Sequence, residues 1–235
     1  MKTVQLLSGG AAQGLVGQLR GRFLAREGCE VQATFGAVGL MKDMLLTGEP
    51  CDVVILTAAL VGELEAQGRV LPGSAAALGV VKTGVAVKSG ETVPGVDTAE
   101  ALKALLSRAK GIYFPDPVKA TAGIHFMRVL KSLGLDQQLA RQLRPFPNGA
   151  TAMREMAQAE GGGWVGCTQV TEILYTPGVQ LAGLLPSQFE LATVYVAAVC
   201  TGAAQPEAAA ALIALLAGDE ARPLREAGGF EAPGT

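Results

Sequence analysis

The sequence lacks several features that commonly reveal a function. Histidine occurs once among the 235 residues, and aromatic residues make up only 5% of them. One histidine and four cysteines without a CxxC spacing cannot supply the usual ligand shell of zinc, so we expect no metal site. A Walker phosphate loop is also absent from the sequence, and we expect neither a nucleotide nor any other cofactor.

Strong charge and long apolar runs are missing as well. The formal net charge is −2, from 19 basic and 21 acidic residues. A chain of this charge is not expected to bind nucleic acid or an anionic lipid surface. No apolar run reaches the roughly 20 residues that span a bilayer.

The N-terminal stretch MKTVQLLSGG lacks the basic segment, apolar segment and cleavage site of a secretory signal. As written, the chain is therefore predicted to be cytoplasmic. The alternative is that a signal was removed and a methionine added, in which case the protein is periplasmic. The four cysteines, Cys29, Cys51, Cys167 and Cys200, are predicted to be free buried thiols rather than disulfides or metal ligands.

The sequence does contain a regular alternation of strand-like and helix-like segments. Apolar runs such as TVQLL (3–7) and CDVVIL (51–56) are each followed by a helical segment, and the alternation restarts after a long strand-like run at 79–90. A strand is predicted at 162–167, which places Gln169 just beyond it, and a second long strand is predicted at 192–199. This pattern predicts an α/β fold in which two doubly wound α/β lobes are joined by two crossing strands.

The two crossing strands define the predicted lobes. Lobe I comprises residues 1–83 and 197–235, and lobe II comprises residues 84–196. In open α/β sheets, ligands bind beyond the carboxyl ends of the strands. With two lobes these ends can face each other, so a cleft between the lobes is the expected place for a ligand.

Three segments between a strand and a helix are predicted to bind an anion. Free N–H groups and the helix dipole favour an anion at a helix start, and glycine lets a ligand approach the backbone. The segments are Ser8, Gly9 and Gly10; Gly36, Ala37, Val38 and Gly39; and Thr121, Ala122 and Gly123. The alternative is that each is only a tight turn, with Ser8 or Thr121 as an N-cap. Lys119 could add a charged hydrogen bond, or it is simply solvated.

Three side chains are candidates for moving a proton. His125 lies in the first turn of the helix that begins near Thr121, and histidine exchanges protons near neutral pH. Tyr195 and Glu190 lie near the second crossing strand, where Tyr195 could act as an acid and a desolvated Glu190 as a base. The alternatives are a packed, hydrogen-bonded histidine and a surface glutamate.

The chain resembles the type II periplasmic-binding-protein fold, in its molybdate-binding-protein-like branch. The resemblance covers nearly the whole chain. It rests on the order and spacing of FGAVGLMKDMLLTGEPCDVVIL (35–56), PDPVKATAGIHF (115–126), VGCTQVTEIL (165–174), PGVQLAGLLP (177–186) and TVYVAAV (193–199). These segments are specific for the fold and the lobe arrangement, and much less so for the ligand.

The resemblance also implies a ligand shell, from which this sequence departs. Molybdate binders of the branch hold a tetrahedral oxyanion with two serine hydroxyls, a tyrosine hydroxyl and backbone amides. Here residues 36–39 carry no hydroxyl, and Gln169 stands at the tyrosine position. Because small residues leave more room at two loops, we expect a larger, organic anion held in part by the Gln169 amide.

A sub-branch that includes proteins similar to aconitate isomerase resembles the chain more closely, through its first glycine loop and the GIHF helix start. It implies a cofactor-free isomerase that moves a proton on an unsaturated di- or tricarboxylate. The alternative is a non-enzymatic solute receptor for an anion transporter of the ABC type. The receptor would meet a transporter permease only if the protein is exported. A cytoplasmic ligand-sensing domain is a third, weaker interpretation.

Overall fold

A computed structural model describes residues 2–232 of the chain. The strands are β1 (Lys2–Gly9), β2 (Cys29–Gly36), β3 (Val53–Thr57), β4 (Ala76–Lys88), β5 (Gly111–Pro115), β6 (Leu143–Phe146), β7 (Trp164–Gln169), β8 (Val179–Leu184) and β9 (Ala192–Val199). The helices are α1 (Gln13–Glu27), α2 (Val38–Leu46), α3 (Ala58–Ala66), α4 (Ala99–Arg108), α5 (Thr121–Ser132), α6 (Gly149–Gln158), α7 (Val170–Tyr175), α8 (Pro206–Ala217) and α9 (Arg222–Ala227). Short 3₁₀ turns cover Gly10–Ala12, Ser187–Phe189 and Asp219–Ala221.

The described chain divides into two compact units. Unit 1 contains the residues up to Val81 and those from Thr193 onward, and unit 2 contains Lys82–Ala192. Strands and helices alternate in both units, so the α/β fold predicted from the sequence pattern is confirmed. The predicted lobes, 1–83 with 197–235 and 84–196, stay a prediction.

Unit 1 is built on a mostly parallel sheet. Strand β1 pairs in parallel with both β2 and β3, and β9 pairs antiparallel with β3. One apolar core, which includes Phe23, Leu19 and Ile55, joins the sheet to its helices. Next to this core, the carboxylate of Asp52 accepts the backbone N–H groups of Gln5 and Gln205 at 2.7 and 2.8 Å. The buried Asp52 carboxylate therefore connects β1 to the N-cap residue of α8 through these two hydrogen bonds.

Unit 2 has a mixed sheet with helices on both faces. Strand β5 pairs in parallel with β6 and β7, while β4 pairs antiparallel with β7 and β8. On one face, α4 and α5 bury apolar side chains such as Phe126, whose ring meets that of Phe114 edge-on at 5.5 Å. On the other face, α6 and α7 bury Met153, Met156 and Ile173. The sheet is therefore enclosed between two helical layers.

Several helices begin where a side chain caps them. Thr98 Oγ1 accepts the N–H of Ala101 at 3.1 Å at the start of α4, and Asn148 Oδ1 accepts that of Thr151 at 2.8 Å at the start of α6. Such caps satisfy amides that have no acceptor within the helix. The polar residues before these helices thus fix where the two helices begin.

The four cysteines are free and buried, as predicted from their spacing. In the part of the chain that the structure describes, no helix is long and apolar enough to cross a membrane. Trp164, which the sequence places in packing, meets Tyr113 edge-on at 6.0 Å and donates its indole N–H to the carbonyl of Glu160 at 3.0 Å.

Candidate functional site

In unit 1, two of the predicted anion-binding segments lie side by side. The parallel register of β1 and β2 sets Gly9 opposite Gly36 at the carboxyl ends of both strands. A 3₁₀ turn begins at Gly10 and α2 begins at Val38. Two helical segments therefore start from neighbouring strand ends, and their first amides can serve one anion. We call this group, Gly9, Gly10, Gly36, Ala37 and Val38, the unit 1 amide cluster.

Gly9 of this cluster is required by close packing rather than by an unusual backbone, whereas Gly36 packs against the end of the flexible Met41 side chain. Gly9 has φ −58°, which any residue can adopt. A Cβ atom there would lie 2.7 Å from Val38 Cγ1 and 3.2 Å from Tyr195 Cε1. At Gly36, a Cβ would lie 2.8 Å from Met41 Cε. The buried ring of Tyr195, on β9 opposite Thr57, thus forms one wall of the cluster.

Ser8 contributes differently from its sequence-based interpretation. Strand β1 continues through Ser8 and Gly9, so these two residues are not a loop. The Ser8 side chain is buried, and its hydroxyl donates to the carbonyl of Gly9 at 2.9 Å. The alternative of Ser8 as a helix cap is therefore wrong, because Gly9 is the N-cap of the 3₁₀ turn that begins at Gly10, and no side chain caps that turn. Gly39, half-buried, lies within α2 rather than in a loop.

In unit 2, the start of α5 is shaped by the turn after β5. The Asp116 carboxylate accepts the backbone N–H groups of Val118 and Lys119 at 2.7 and 2.8 Å. The carbonyl of Ala120 then accepts the N–H of Ile124 at 2.9 Å. Ala120 is therefore the N-cap and Thr121 the first helical residue, so the prediction of Thr121 as the N-cap is wrong.

Gly123 is fixed by the backbone of the same turn. A Cβ at Gly123 would lie 2.3 Å from the carbonyl oxygen of Pro115 and 2.2 Å from that of Asp116. Ala122 and Gly123 are buried, whereas Lys119 is exposed. The first amides of α5, from Thr121 to Gly123, are thus held against the end of β5.

Two of the three proton-transfer candidates lie near each other in unit 2. His125 Nε2 is 2.8 Å from the carbonyl oxygen of Phe189 and so carries the proton of this hydrogen bond, which leaves Nδ1 as the basic nitrogen. Glu190, the next residue after Phe189, faces Lys82 across 3.5 Å and its side chain is 46% exposed. Glu190 therefore lies at the surface, as in the alternative predicted from the sequence. Tyr195, the third candidate, lies in unit 1.

Gln169 has the most unusual environment of the predicted ligand residues. It is the last residue of β7, not a residue beyond the strand as the sequence pattern suggested, and it is 2% exposed. Neither its Oε1 nor its Nε2 has a hydrogen-bond partner. Buried side-chain amides are normally paired, since leaving one unpaired costs free energy. This amide therefore has an unused donor and an unused acceptor.

Sequence reasoning missed two threonines next to Gln169. Thr83, opposite Gln169 in the β4–β7 pair, is 1% exposed and its Oγ1 has no partner. Side chains directly opposite in an antiparallel pair share one face of the sheet. Thr171 Oγ1, at the start of α7, is also buried without a partner. Only the pairing of β4 with β7 could have revealed this group, which we call the Gln169 group.

A buried carboxylate supports the Gln169 group. Glu172 accepts the hydroxyl of Thr168 at 2.5 Å and the backbone N–H groups of Gly149, Ala150 and Gln169. Burial raises the pKa of the Glu172 carboxyl, and these hydrogen bonds oppose that rise. The side chain thereby links the start of α6 to the end of β7. The sequence pattern did not indicate that Glu172 is buried, because a glutamate in the first turn of a helix is usually solvated.

Residues 161–166 match the glycine spacing of dinucleotide-binding loops, GxGxxG. In the structure they lead into β7, whereas a dinucleotide loop leads from a strand into a helix. The match therefore gives no nucleotide cradle. Within residues 2–232, there is no group of three or more His, Cys, Asp or Glu side chains that could hold a metal ion.

Comparisons with known proteins place the chain in a well-populated group. A family model described as bacterial extracellular solute-binding protein matches residues 4–231. Aconitate isomerase from Pseudomonas sp. is 28% identical over 236 aligned residues, which cover 96% of this chain and 87% of that protein.

Two solved structures show the same fold. The periplasmic molybdate-binding protein of Azotobacter vinelandii matches with a TM-score of 0.80 at 20% identity, covering 98% of this chain and all of that one. The sulfate-binding protein SubI from Mycobacterium tuberculosis matches with a TM-score of 0.73 at 17% identity, covering 99% of this chain and 87% of that one. At these identities the two structures establish the fold and nothing of the ligand.

Proposed function

The chain belongs to the bacterial extracellular solute-binding protein family, and we propose that it binds a small di- or tricarboxylate and acts on it as a cofactor-free isomerase. The observation that carries the isomerase proposal is the similarity to aconitate isomerase, which extends over 96% of the chain. The fold is that of the type II periplasmic binding proteins, in the molybdate-binding-protein-like branch. The ligand and the reaction are our proposal.

The preference for an organic carboxylate is supported by the unit 1 amide cluster. Its residues are Gly, Ala and Val, whose side chains carry no hydroxyl. The nearby Ser8 hydroxyl already donates to the carbonyl of Gly9. A compact tetrahedral oxyanion needs a close shell of hydroxyl and amide donors. A carboxylate presents two oxygens in one plane, which the neighbouring backbone amides of two helix starts can bind. The first amides of α5 and the exposed Lys119 offer further donors in unit 2.

The proposed reaction is a proton shift along an unsaturated carboxylate. A base removes a proton from the saturated carbon next to the double bond. The electron pair then moves through the double bond into the adjoining carboxylate as enolate-like charge. The proton returns to the carbon at the other end, and the double bond has moved. Amides held in place by the fold stabilise the developing negative charge, so no cofactor is required for the step.

We assign the proton transfer to His125, with Tyr195 and Glu190 as the remaining candidates. The Phe189 carbonyl fixes the proton on Nε2 of His125, which keeps Nδ1 free to accept a proton. Gln169 is assigned to substrate binding, because its buried amide can donate to one oxygen of a carboxyl group and accept from a hydroxyl.

The test is proton NMR of the protein with cis- and trans-aconitate in deuterium oxide. The proposal predicts interconversion of the two isomers together with deuterium incorporation at the exchanging carbon. Deuterium incorporation detects proton removal even where little net conversion occurs. If aconitate binds but neither converts nor exchanges, the isomerase proposal is wrong for this substrate and binding alone remains.

A solute receptor is the second candidate, because the family description and the matched solved structures are those of binding proteins. It would bind a small anion, release it unchanged and deliver it to an ABC transporter permease after export. The receptor is favoured if a carboxylate binds without exchange and the native gene begins with a signal sequence. Catalysis without such a signal favours the isomerase.

A further inference from the structure

Two of the four free cysteines, both in unit 1, lie in contact. The Sγ atoms of Cys51 and Cys200 are 3.5 Å apart. Cys51 precedes β3 and Cys200 follows β9, and these strands pair antiparallel from Val53 to Thr57. The N–H of Cys200 donates to the carbonyl of Asp52 at 2.9 Å, which continues the pairing past the strand ends. The two thiols are therefore held near each other by the backbone pairing of the segments that carry them.

The surroundings of the two thiols give them different roles. Cys51 is 8% exposed, and its Sγ is 3.0 Å from the carbonyl oxygen of Val53. Cys200 is 1% exposed and donates its S–H to Cys51. This hydrogen bond lowers the pKa of the Cys51 thiol and raises that of Cys200. Cys51 is thus the thiol that an oxidant meets first, and Cys200 is placed behind it.

We propose that Cys51 and Cys200 are a site of reversible disulfide formation, with a low-molecular-weight disulfide such as oxidised glutathione as the oxidant. The Cys51 thiolate attacks one sulfur of the oxidant, which forms a mixed disulfide and releases one molecule of the reduced thiol. Cys200 then loses its proton and attacks Cys51 Sγ, which forms the Cys51–Cys200 bond and releases the second thiol. The protein loses two electrons and two protons, and the oxidant gains them.

The position of this bond in the chain sets its consequence. Residues between Cys51 and Cys200 include every residue of unit 2, which spans Lys82–Ala192. A disulfide would close this long segment into a covalent ring through two residues of unit 1. Rings of this length restrict the unfolded chain strongly, so the oxidised protein is expected to melt at a higher temperature.

The other two cysteines are internal controls. Cys29 Sγ is 3.7 Å from the carbonyl oxygen of Glu30, and Cys167 is completely buried on β7, where burial raises the pKa of its thiol. Within residues 2–232, neither thiol is hydrogen-bonded to another cysteine. They should therefore stay reduced under the same treatment.

The test exposes the purified reduced protein to oxidised glutathione and counts free thiols after denaturation under acid quench. We expect the count to fall from four to two, and peptide mapping without reductant to find Cys51 joined to Cys200. The melting temperature should rise by several degrees and return to its starting value after reduction. Cys200→Ser should stop at a mixed disulfide of glutathione with Cys51, and Cys29→Ser should still form the bond.

The proposal is overturned if wild-type protein keeps four free thiols under this treatment, whether or not Cys51 is modified in Cys200→Ser. It is equally overturned if the mapped bond includes Cys29 or Cys167. Both outcomes are read on the wild type or on a folded variant, as judged by its melting transition. They are independent of the proposed isomerase function, since no substrate is present.

Discussion

The unit 1 amide cluster and the Gln169 group of unit 2 are built in contrasting ways. The unit 1 cluster consists of backbone amides enclosed by Val38, Met41 and Tyr195, and a Cβ at Gly9 would lie 2.7 Å from Val38 Cγ1. The Gln169 group consists of buried side chains whose polar atoms have no partners. The unit 1 amide cluster is thus closed by packing, whereas the Gln169 group retains hydrogen-bond donors and acceptors without partners.

The difference separates two physical ways of preparing a binding site. A packed backbone edge costs the folded protein little, because its amides sit at helix starts and its apolar walls are buried. A buried unpaired amide destabilises the folded protein and regains that free energy only when a ligand pairs with it. Substitutions in the unit 1 amide cluster should therefore mainly lower the free energy of unfolding. Substitutions in the Gln169 group should mainly lower ligand affinity.

The largest expected effect concerns which unit carries the proton-transfer residue. His125→Gln retains a donor for the Phe189 carbonyl but has no basic nitrogen. Under the proposed isomerase function, it should lower kcat by about 10²–10⁴-fold, the usual contribution of a general base. Tyr195→Phe, which keeps the ring against Gly9, should lower kcat less. The measurement is the initial rate of aconitate isomerisation by NMR. A greater loss in Tyr195→Phe would move the proton transfer to unit 1.

Alanine in place of glycine should rank the packing of the two regions. Gly123→Ala should reduce the free energy of unfolding by about 3 kcal/mol or more, because the new Cβ meets two backbone oxygens that cannot move away easily. Gly9→Ala should cost about 1–3 kcal/mol, because it meets side-chain carbons of Val38 and Tyr195.

The matched control for these two variants is Gly62→Ala on α3, where a new Cβ has no heavy atom within 4 Å. It should be neutral or stabilise the protein by up to about 1 kcal/mol. Urea unfolding of the three variants gives the comparison. If Gly9→Ala costs as little as Gly62→Ala, the unit 1 cluster is not closed by packing.

Removing the unpaired amide should stabilise the protein and weaken binding. Gln169→Leu should raise the free energy of unfolding by about 1 kcal/mol without ligand, since a buried unpaired group is lost. Its carboxylate affinity should fall about tenfold, which corresponds to about 1.4 kcal/mol. Ser8→Ala should instead lose about 1 kcal/mol of stability, because the Ser8 hydroxyl is paired. Thermal melts and calorimetry on both variants test the opposite signs, and a destabilised Gln169→Leu with normal affinity contradicts them.

The smallest expected effect is the pH dependence that Glu172 gives to unit 2. Because burial raises the pKa of Glu172 in the folded protein above its ordinary 4.5, the folded state keeps a proton that the unfolded chain has lost. The free energy of unfolding should therefore decline as pH rises from 4.5 to the folded-state pKa. Glu172→Gln should remove this component of the decline, and Glu190→Gln, an exposed control, should keep it. Urea midpoints across pH provide the measurement, and identical slopes in both variants would exclude Glu172 as the cause.

The apolar pattern was sufficient for much of the fold. Strand β9 was predicted at 192–199 and lies there, and the α/β alternation and the free, buried cysteines are confirmed. Strand ends were less predictable. Strand β1 was predicted at 3–7 and β7 at 162–167, yet they run to Gly9 and Gln169. Serine, glycine and glutamine have weak strand preference, and it is pairing with β2 and β4 that extends the strands over them.

The candidate site was predictable only in its local parts. Helix starts at Gly10, Val38 and Thr121 follow from residue types near each other in the chain. The unpaired state of Gln169 and the burial of Glu172 depend on strands and helices that meet only after folding. No local pattern distinguishes Glu172 from an exposed glutamate, whereas the surface position of Glu190 was among the alternatives predicted from the sequence.

The most direct test of the central claim is a paired calorimetric titration of wild-type protein with trans-aconitate and with molybdate. The account predicts that the tricarboxylate binds more tightly, and that the difference shrinks in Gln169→Leu because only the organic ligand gains from the amide. Sub-micromolar molybdate binding together with undetectable carboxylate binding would contradict the account. In that case the backbone amides alone would suffice for a tetrahedral oxyanion.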